Sequence, residues 1–510
     1  MRRVARPTIT IHLDEPLGHI APELYGHFCE HLGACVDDGL WVGPDSKIAN
    51  IDGLRRDVIE ALRRIRVPVM RWPGGCFADD YHWMDGIGPR ERRPRTVNLW
   101  WGQTIETNGF GTHEFVRFCE LVGCKPYLAG NLGSGTVREL RNWVEYCNFA
   151  GDSTLARLRG ANGSPYPFNV RYWGVGNENW GCGGNFCPED YAAEYKRYAT
   201  YLRDFSGTEP FLIACGPDSG RAEFHADWTR RFFKKLGSFN RIHGFAAHYY
   251  CGTAGTATRY TTDQWYELLE RAARMDGVIR THRAIMDEFD PQRRIGLLVD
   301  EWGTWHPPTP GRNPAHLWQQ NTLRDALVAG ITLNVFNNHA RELVMCNIAQ
   351  TANVLQAMCL TEGDRLVLTP TYHVFDLYQS HQGGTALRTT VESPGVSFVV
   401  GNERRTMPAL SASASVRGGA LTLTITNADA TLPQEIELDL RGGGTPEEAT
   451  VQVLAHEDLT AHNTFDEPET LRPRPEEALQ SGTTLRLRPA SVTVITWHGF
   501  STLVSAPVTG

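Results

Sequence analysis

Two glutamates stand where a buried apolar run gives way to polar residues, and as a pair they could hydrolyse a glycosidic bond. Glu178 follows the apolar run at 171–175, and Glu301 follows the run at 295–299. Burial next to such a run raises the pKa of a carboxyl, which can then act as an acid at neutral pH. Glycoside hydrolysis needs one such acid and a second carboxylate as nucleophile or base. For either glutamate alone, the alternative is a solvated side chain at the end of a strand.

The neighbours of these glutamates favour a sugar as the ligand. Asn177 and Asn179 flank Glu178 and could orient a polar ligand. Aromatic residues follow the same predicted strand ends, namely Trp180, Tyr250, Trp302 and Trp305. Such rings offer flat stacking surfaces, although tryptophan also fills cores. A non-catalytic sugar-binding protein is the alternative to an enzyme, and the presence of both carboxylates disfavours it.

Eight short apolar runs recur along the first three quarters of the chain, and most are separated by a helical pattern. The runs lie at 23–28, 68–72, 126–129, 171–175, 210–215, 242–248, 295–299 and 342–348. The helical patterns lie at 51–66, 191–205, 265–289 and 315–336. This alternation predicts an α/β fold, a (β/α)8 TIM barrel. An open doubly wound sheet is the alternative, but residues 174–179 match only half of the dinucleotide-binding fingerprint.

In a barrel of this kind, functional residues lie at the carboxyl ends of the strands. Glu178 would end the fourth strand and Glu301 the seventh, so that both face one mouth. The other polar and aromatic residues at the predicted strand ends are Glu30, Arg71, Cys76, Asp79–Tyr81, Asn131, Asn177, His248, Tyr249, Tyr250, Asp300, Trp302 and Gln350.

The pattern changes after about residue 385, where helical periodicity disappears. Residues 421–426, 436–440 and 485–487 alternate at period two, and glycine-rich turns separate them. This predicts a C-terminal antiparallel β-sandwich, jelly-roll-like, and the alternating strand at 8–13 is expected to join it. The predicted domains are therefore 1–17, an N-terminal strand of the sandwich; 18–384, the catalytic barrel; and 385–510, the sandwich.

Composition narrows the range of partners. The 510 residues carry a formal charge of −8, which disfavours nucleic acid or an anionic membrane as the main partner. No apolar run approaches the roughly 20 residues of a membrane span, and the basic N-terminus lacks the apolar segment of a signal peptide. The sequence therefore predicts a soluble, cytoplasmic protein.

The 12 cysteines are scattered singly, mostly in apolar runs, and are predicted to be reduced and packed. Cys182 and Cys187 are close enough to raise the question of a metal site or a disulfide. No second pair stands at zinc-finger spacing, which disfavours metal.

A rival motif lies at 27–31, where HFCEH matches the H-x-x-E-H pattern of zinc peptidases. That chemistry requires a helix, so that both histidines bind one metal. Pro22 and Gly26 precede the motif and Gly33 follows it, which indicates a strand and a loop instead. We therefore expect Glu30 to accept hydrogen bonds from sugar hydroxyls.

Longer motifs run in order along nearly the whole chain. They are YGHFCEHLG at 25–33, RWPGG at 71–75, YHW at 81–83, DGIG at 85–88, ETN at 106–108, GVGNE at 174–178, DEW at 300–302, NIAQ at 347–350 and HNTFDEP at 462–468. In these segments the chain resembles family 51 of the glycoside hydrolases, the α-L-arabinofuranosidases.

The resemblance implies a retaining mechanism with Glu178 as acid/base and Glu301 as nucleophile. It also implies that Glu30, Asn177, Tyr250 and Gln350 bind the furanose or the nucleophile. Trp101 and Trp305 are further candidates for lining the sugar subsite. The resemblance implies no cofactor and no metal, and a homo-oligomer, often a hexamer.

One residue departs from the pattern of many members, because Cys76 stands where they have Asn. A thiol is a much weaker hydrogen-bonding group than an amide, so the sugar contact at this position is in question. The expected activity is that of an exo-acting α-L-arabinofuranosidase on arabinoxylan- or arabinan-derived oligosaccharides. Another furanoside or a β-glucan remains the alternative substrate.

Overall fold

Eight parallel strands close into a barrel, as the alternating sequence pattern predicts. The structure is a computed structural model that describes residues 6–252, 254–443, 449–479 and 484–499. The barrel strands, first to eighth, are Gly26–Phe28, Val69–Trp72, Lys125–Gly130, Tyr172–Val175, Phe211–Asp218, Gly244–Gly252, Gly296–Trp305 and Leu343–Ala349. Each strand pairs with its successor in the chain, and the eighth pairs with the first. The closed order excludes an open doubly wound sheet.

Helices follow most of the strands and cover the outside of the barrel. Their bounds are Arg56–Arg64, Thr112–Val122, Val137–Asn148, Thr154–Ala161, Pro188–Tyr201, Ala222–Leu236, Thr262–Ala273, Met275–Phe289, Leu323–Asn338 and Pro370–Tyr378. The single helical pattern at 265–289 is two helices that meet at Arg274. The pattern at 315–336 is a short 3-10 turn, Pro314–His316, and then the helix Leu323–Asn338, whose start is capped by Thr322 and Asp325.

The interior of the barrel changes from apolar to polar along the strands. One buried layer contains Val69, Tyr127, Tyr172, Ile213, Ala246, Leu298 and Met345. Side chains in a strand alternate between its two faces, so the next inward position lies two residues on. That position is Arg71 on the second strand, His248 on the sixth and Asp300 on the seventh, and all three are buried. A polar layer therefore lies on an apolar floor, towards the carboxyl ends of the strands.

The sixth and seventh strands extend further than their apolar runs predict. They end at Gly252 and Trp305, and these two last residues still pair with each other. Tyr250 and Glu301 therefore lie within strands, where backbone hydrogen bonds hold them, and not in loops beyond the barrel.

The C-terminal residues form a nine-stranded sheet that includes the N-terminal strand, as predicted. In spatial order the strands are Arg474–Leu479, Ala449–Ala455, Ser491–Trp497, Ala420–Asn427, Leu410–Arg417, Thr385–Glu392, Thr8–His19, Gln434–Arg441 and Thr484–Leu487. Neighbours are antiparallel except Thr8–His19 and Gln434–Arg441, which are parallel. The domain limits at residues 17 and 384 stay a prediction.

The helix Leu323–Asn338 joins the barrel to this sheet and is buried along nearly its whole length. Gly330 allows the close approach, because a Cβ there would lie 2.6 Å from Cγ2 of Thr426. Asn334 and Asn337 bond to the hydroxyl of Ser413 across the same contact. Every helix in the described ranges falls short of the length and hydropathy needed to span a bilayer.

Candidate active site

Glu301 lies in the polar layer with both carboxylate oxygens hydrogen bonded. Nη1 of Arg71 donates to its Oε1 at 2.7 Å, and the Tyr250 hydroxyl donates to its Oε2 at 2.8 Å. Nδ1 of His248 lies 3.5 Å from the same Oε2. Arg71 and Glu301 are both almost fully buried, so each charge compensates the other in a medium where an unpaired charge would be costly. The arrangement holds one carboxylate in a single orientation.

Glu178 lies three residues beyond the fourth strand, Tyr172–Val175, in an unusual backbone conformation. Its φ is +41°, in the left-handed region that side chains with a Cβ seldom adopt. Its carbonyl accepts hydrogen bonds from the N–H groups of Gly181 and Gly183, at 2.7 and 3.2 Å. This tight turn aims the side chain into the mouth of the barrel, where Oε1 lies 2.9 Å from Nδ1 of His248.

The two glutamates converge. A carboxylate oxygen of Glu178, a carboxylate oxygen of Glu301 and a ring nitrogen of His248 all lie within 4.8 Å of one another. Burial raises the pKa of Glu178, and Glu301 adds to the rise, while the hydrogen bond from His248 opposes it. The site thus contains one carboxyl whose pKa is raised by burial and, close by, a second carboxyl group hydrogen bonded to Arg71.

His248 is placed between three carboxylates. Its Nε2 lies 3.0 Å from Oδ1 of Asp300, on the side opposite Glu178. Burial lowers the pKa of His248, but Glu301, Asp300 and Glu178 together raise it well above the usual value. Asp300 is held by the Tyr127 hydroxyl at 2.8 Å. Nδ1 of His248 therefore bonds to Glu178, while Nε2 faces the carboxylate of Asp300.

Glu30 forms the far wall of the site with three donors. Its Oε1 accepts from Nε1 of Trp101 and from the N–H of Phe77, each at 3.0 Å, and its Oε2 accepts from Nε2 of Gln350 at 3.1 Å. Burial and the charge of Glu301 raise the pKa of Glu30 to about 7. The structure therefore brings Glu30, Gln350 and Trp101 into one cluster.

Two amides offer hydrogen-bonding groups to a ligand. Oδ1 of Asn177 accepts from Arg71 at 2.5 Å, which orients the side chain. Nδ2 of Asn177 and Oε1 of Gln350 are buried and have no hydrogen-bond partner within the described residues. Buried polar atoms are normally paired, so these two atoms are suited to a polar ligand such as a sugar.

Two aromatic rings line the opening beside the nucleophile candidate. Trp305 ends the seventh strand, and its ring meets that of Tyr250 edge-on, with centroids 5.1 Å apart. The hydroxyl of Tyr249 points elsewhere, to the carbonyl of Arg271 at 2.7 Å. The structure therefore places Tyr250, and not Tyr249, in the site, together with Trp305.

The prediction that the cysteines are reduced is wrong for Cys76 and Cys182. The sulfur of Cys76 is bonded to that of Cys182, while Cys187 is a free, exposed thiol. Cys76 and Cys182 are 106 residues apart, and only the folding of two barrel loops against each other brings them together. Cys76 therefore has no thiol proton to donate to a sugar. Instead the disulfide lies beside the acid candidate, with Sγ of Cys182 3.7 Å from Oε2 of Glu178.

The rival zinc-peptidase motif does not form the helix that it requires. His27 lies in the strand Gly26–Phe28, packs against the ring of Phe375 and has a pKa lowered to about 3 by burial. His31 accepts a hydrogen bond from Nε1 of Trp72 at 3.1 Å. Among the described residues, these two histidines are not in a set of convergent metal-binding atoms.

Three residues that organise the site, Arg71, His248 and Asp300, have no role in the predicted site. Each lies at or near the end of a predicted strand. Asp300 is next to Glu301 in the chain, and His248 is two residues before Tyr250. This location at the strand ends is the signal by which the sequence could have identified them. It could not show that they contact one another, because their strands are far apart in the chain.

Comparison with known proteins identifies the family of this chain. Residues 61–261 match the family model described as "Alpha-L-arabinofuranosidase 1 domain", and residues 300–491 match the model described as "Alpha-L-arabinofuranosidase C-terminal domain". A protein of Bacteroides ovatus, described as an intracellular exo-alpha-L-arabinofuranosidase, is 46% identical over 484 residues, covering 93% of this chain and 92% of its own. Alpha-L-arabinofuranosidase C of Emericella nidulans is 34% identical, covering 74% of this chain and 75% of its own.

Solved structures show the same likeness over nearly the full length. The GH51 arabinofuranosidase from Xanthomonas axonopodis pv. citri superposes with a TM-score of 0.91 at 39% identity, covering 97% of this chain and all of its own. The alpha-L-arabinofuranosidase from Thermotoga maritima, solved with arabinose, superposes with a TM-score of 0.85 at 31% identity, covering 96% of this chain and all of its own. The chain belongs to glycoside hydrolase family 51, the α-L-arabinofuranosidases.

Proposed function

We propose that this glycoside hydrolase is a retaining, exo-acting α-L-arabinofuranosidase. The observation that carries the proposal is the convergence of Glu178 and Glu301, with carboxylate oxygens within 4.8 Å. Retaining enzymes place the two carboxyls about 5–5.5 Å apart, whereas inverting enzymes leave a wider gap for water. The short separation therefore supports a double displacement through a covalent intermediate.

In the first step, a carboxylate oxygen of Glu301 attacks the anomeric carbon and the glycosidic C–O bond breaks. The proton of Glu178 passes to the departing oxygen. Because His248 binds Oε1 of Glu178, Oε2 is the oxygen that supports proton transfer. In the second step, Glu178 takes a proton from water, the water oxygen bonds to the anomeric carbon, and Glu301 is released.

The surrounding residues support a small terminal sugar as the substrate unit. Glu30, Gln350 and Asn177 supply carboxylate and amide groups on one side of the glutamate pair. Trp101 and Trp305 add flat apolar surface beside them. We propose that these residues bind the hydroxyls and ring of a non-reducing terminal α-L-arabinofuranosyl group. The exo-acting description of the Bacteroides ovatus relative supports this assignment.

The substrates proposed are oligosaccharides from arabinoxylan or arabinan, hydrolysed in the cytoplasm. The description of the same relative as intracellular supports the location. A hexameric assembly is proposed from the family resemblance alone. Multi-angle light scattering of the purified protein measures the assembly: about six times the 57.0 kDa chain mass is expected, and a monomeric mass refutes it.

Two variants test the roles. Glu301→Gly is expected to abolish turnover, and azide is expected to rescue it with a β-configured glycosyl azide, because the external nucleophile attacks from the vacated face. Glu178→Ala is expected to lower kcat/KM by about 10²–10⁴-fold on substrates with poor leaving groups and far less on activated aryl arabinofuranosides. An equal loss on both substrate kinds refutes Glu178 as the acid.

A panel of aryl glycosides tests the substrate. We expect release from aryl α-L-arabinofuranoside and little release from the matching glucoside or galactofuranoside. Preferred hydrolysis of the glucoside or galactofuranoside refutes the sugar assignment, while leaving the two glutamate roles to the variants above. Product profiles on defined arabinoxylan and arabinan oligosaccharides then establish linkage preference.

A further inference from the structure

Asp79 is a buried carboxylate outside the predicted site, and it joins three strand ends. It lies in the 3-10 turn Cys76–Asp80, after the second barrel strand, and is 4% exposed. Its Oδ1 accepts from the N–H groups of Leu132 and Gly133 at 2.6 and 2.8 Å, after the third strand. Its Oδ2 accepts from the N–H of Asn177 at 2.7 Å and from Nδ2 of Asn179 at 3.2 Å, at the end of the fourth strand. All four acceptor sites of the carboxylate are therefore used.

The contacts of Oδ2 bracket Glu178, since they bind the residue before it and the residue after it. Glu178 itself has a φ of +41°, a conformation that costs on the order of 1–3 kcal/mol for a residue with a Cβ. Such a conformation persists only where its surroundings hold it. Asp79 supplies that hold from one side, because it is bonded to both neighbours of the strained residue.

The group that bonds to both neighbours of Glu178 is a buried carboxylate. Within the described residues, Asp79 has no cationic partner within ion-pair distance, and its bonds go to neutral N–H groups. Burial raises the pKa of Asp79 to about 7, and the hydrogen bonds from Gly133, Asn177 and Leu132 oppose the rise only in part. Buried ionisable groups with shifted pKa values occur most often at functional sites.

We infer that Asp79 is a positioning residue for acid catalysis, which fixes the turn at Asn177–Asn179 so that the carboxyl of Glu178 faces the leaving-group oxygen. Asp79 touches no reacting atom and acts through Glu178. The inference rests on the proposed role of Glu178 as the acid.

The variant Asp79→Asn tests this positioning role. Each carboxylate oxygen of Asp79 accepts two hydrogen bonds, and the asparagine replaces one of these oxygens with an NH2 group, which would face two N–H donors. We expect kcat/KM to fall about 100-fold on an arabino-oligosaccharide and less than about threefold on 2,4-dinitrophenyl α-L-arabinofuranoside, whose leaving group needs little protonation. The matched control is Asp80→Asn, which removes the same charge from a half-buried position in the same turn. For Asp80→Asn, the ratio of the kcat/KM values on the two substrates is expected to stay within about twofold of the wild-type ratio.

A second variant tests the positioning role if the thermal melt shows that Asp79→Asn does not fold. Asn179→Ala removes the weaker bond to Oδ2 and the bond from Nδ2 to the carbonyl of Gly183. We expect a loss of about tenfold on the oligosaccharide, with the dinitrophenyl substrate again spared. An equal loss on both substrates, in whichever variant folds, overturns the inference.

Glu178→Ala, measured in parallel, separates the inference from the proposed function. If Glu178→Ala itself loses both substrates equally, the role of Glu178 as the acid fails. If Glu178→Ala spares the dinitrophenyl substrate and the Asp79 and Asn179 variants do not, only the positioning role fails.

Discussion

Nδ1 of His248 donates a hydrogen bond to Oε1 of Glu178 at 2.9 Å, so one imidazolium sets the environment of the acid. This bond lowers the pKa of Glu178, against the larger effect of burial. Asp300 lies 3.0 Å from the other ring nitrogen and helps to raise the pKa of His248. The acid strength of Glu178 therefore depends on a residue that touches it from the sixth strand.

His248→Asn removes this positive charge, and the pKa of Glu178 is expected to rise further. General acid catalysis requires the protonated carboxyl, so the basic limb of the kcat/KM profile should move to higher pH. The pH profile on a substrate with a poor leaving group measures the shift. Overall activity should also fall, because Glu301 loses a neighbouring cation. A basic limb that moves to lower pH contradicts this account.

Glu30→Gln should change the pH dependence of stability. Burial and Glu301 raise the pKa of Glu30 to about 7 from 4.5, so between these values the native state binds more protons than the unfolded state. Below about pH 4.5 this group contributes up to about 3 kcal/mol to the free energy of unfolding, and the contribution is lost as the pH rises through 7. Glutamine cannot ionise, so this loss should be absent.

Urea unfolding of the wild type and Glu30→Gln at pH 5 and pH 8 measures this difference. The variant should gain relative to the wild type at pH 8, because only the wild type has to ionise a buried carboxyl at this position, and the amide oxygen can still accept from Trp101. If the free energy of unfolding of Glu30→Gln differs from that of the wild type by the same amount at pH 5 and at pH 8, the pKa assigned to Glu30 is wrong.

Breaking the Cys76–Cys182 disulfide should lower stability substantially. The bond closes a loop with a sequence separation of 106 residues, for which chain entropy predicts roughly 4–5 kcal/mol. Cys182→Ala, or the wild type treated with dithiothreitol, should melt at a lower temperature than the untreated wild type. The control is Cys187→Ala, at a free and exposed thiol, which should melt with the wild type. A Cys182→Ala melt equal to that of Cys187→Ala argues against the bond.

Trp101→Phe tests the hydrogen bond from Trp101 to Glu30 and keeps an aromatic ring at this position. Nε1 of Trp101 donates to Oε1 of Glu30 at 3.0 Å, and loss of a bond to an ionisable group costs about 1.5 kcal/mol. We expect kcat/KM to fall by roughly tenfold. Trp100→Phe, at the neighbouring ring that is 39% exposed, is the matched control and should change kcat/KM by less than about twofold. Equal losses in the two variants contradict a specific role for the Nε1–H group.

The eight-stranded barrel and the glutamate pair could be predicted because their signals are local in the chain. An apolar run that ends in a polar residue marks a strand and its end, whichever other strands it meets. Glu178 and Glu301 could be paired because their strands are three units apart in a regular alternation, and a closed barrel directs both ends to one mouth. The family motifs added Glu30, Asn177, Tyr250 and Gln350, which the structure brings together.

Contacts between distant segments could not be predicted in this way. Cys76 is an unremarkable cysteine in the chain, and only the packing of two loops gives it Cys182 as a partner. Asp79 has no motif that connects it to Asn177, 98 residues later, and the charge of His248 depends on carboxylates from two other strands.

The sequence by itself therefore determined which residues lie at the mouth of the barrel, because alternation and periodicity are properties of neighbouring residues. Only the tertiary structure decided how those residues share protons and hydrogen bonds. A pKa or a hydrogen bond depends on burial and on atoms within a few ångströms, and these are set when the strands close into a barrel.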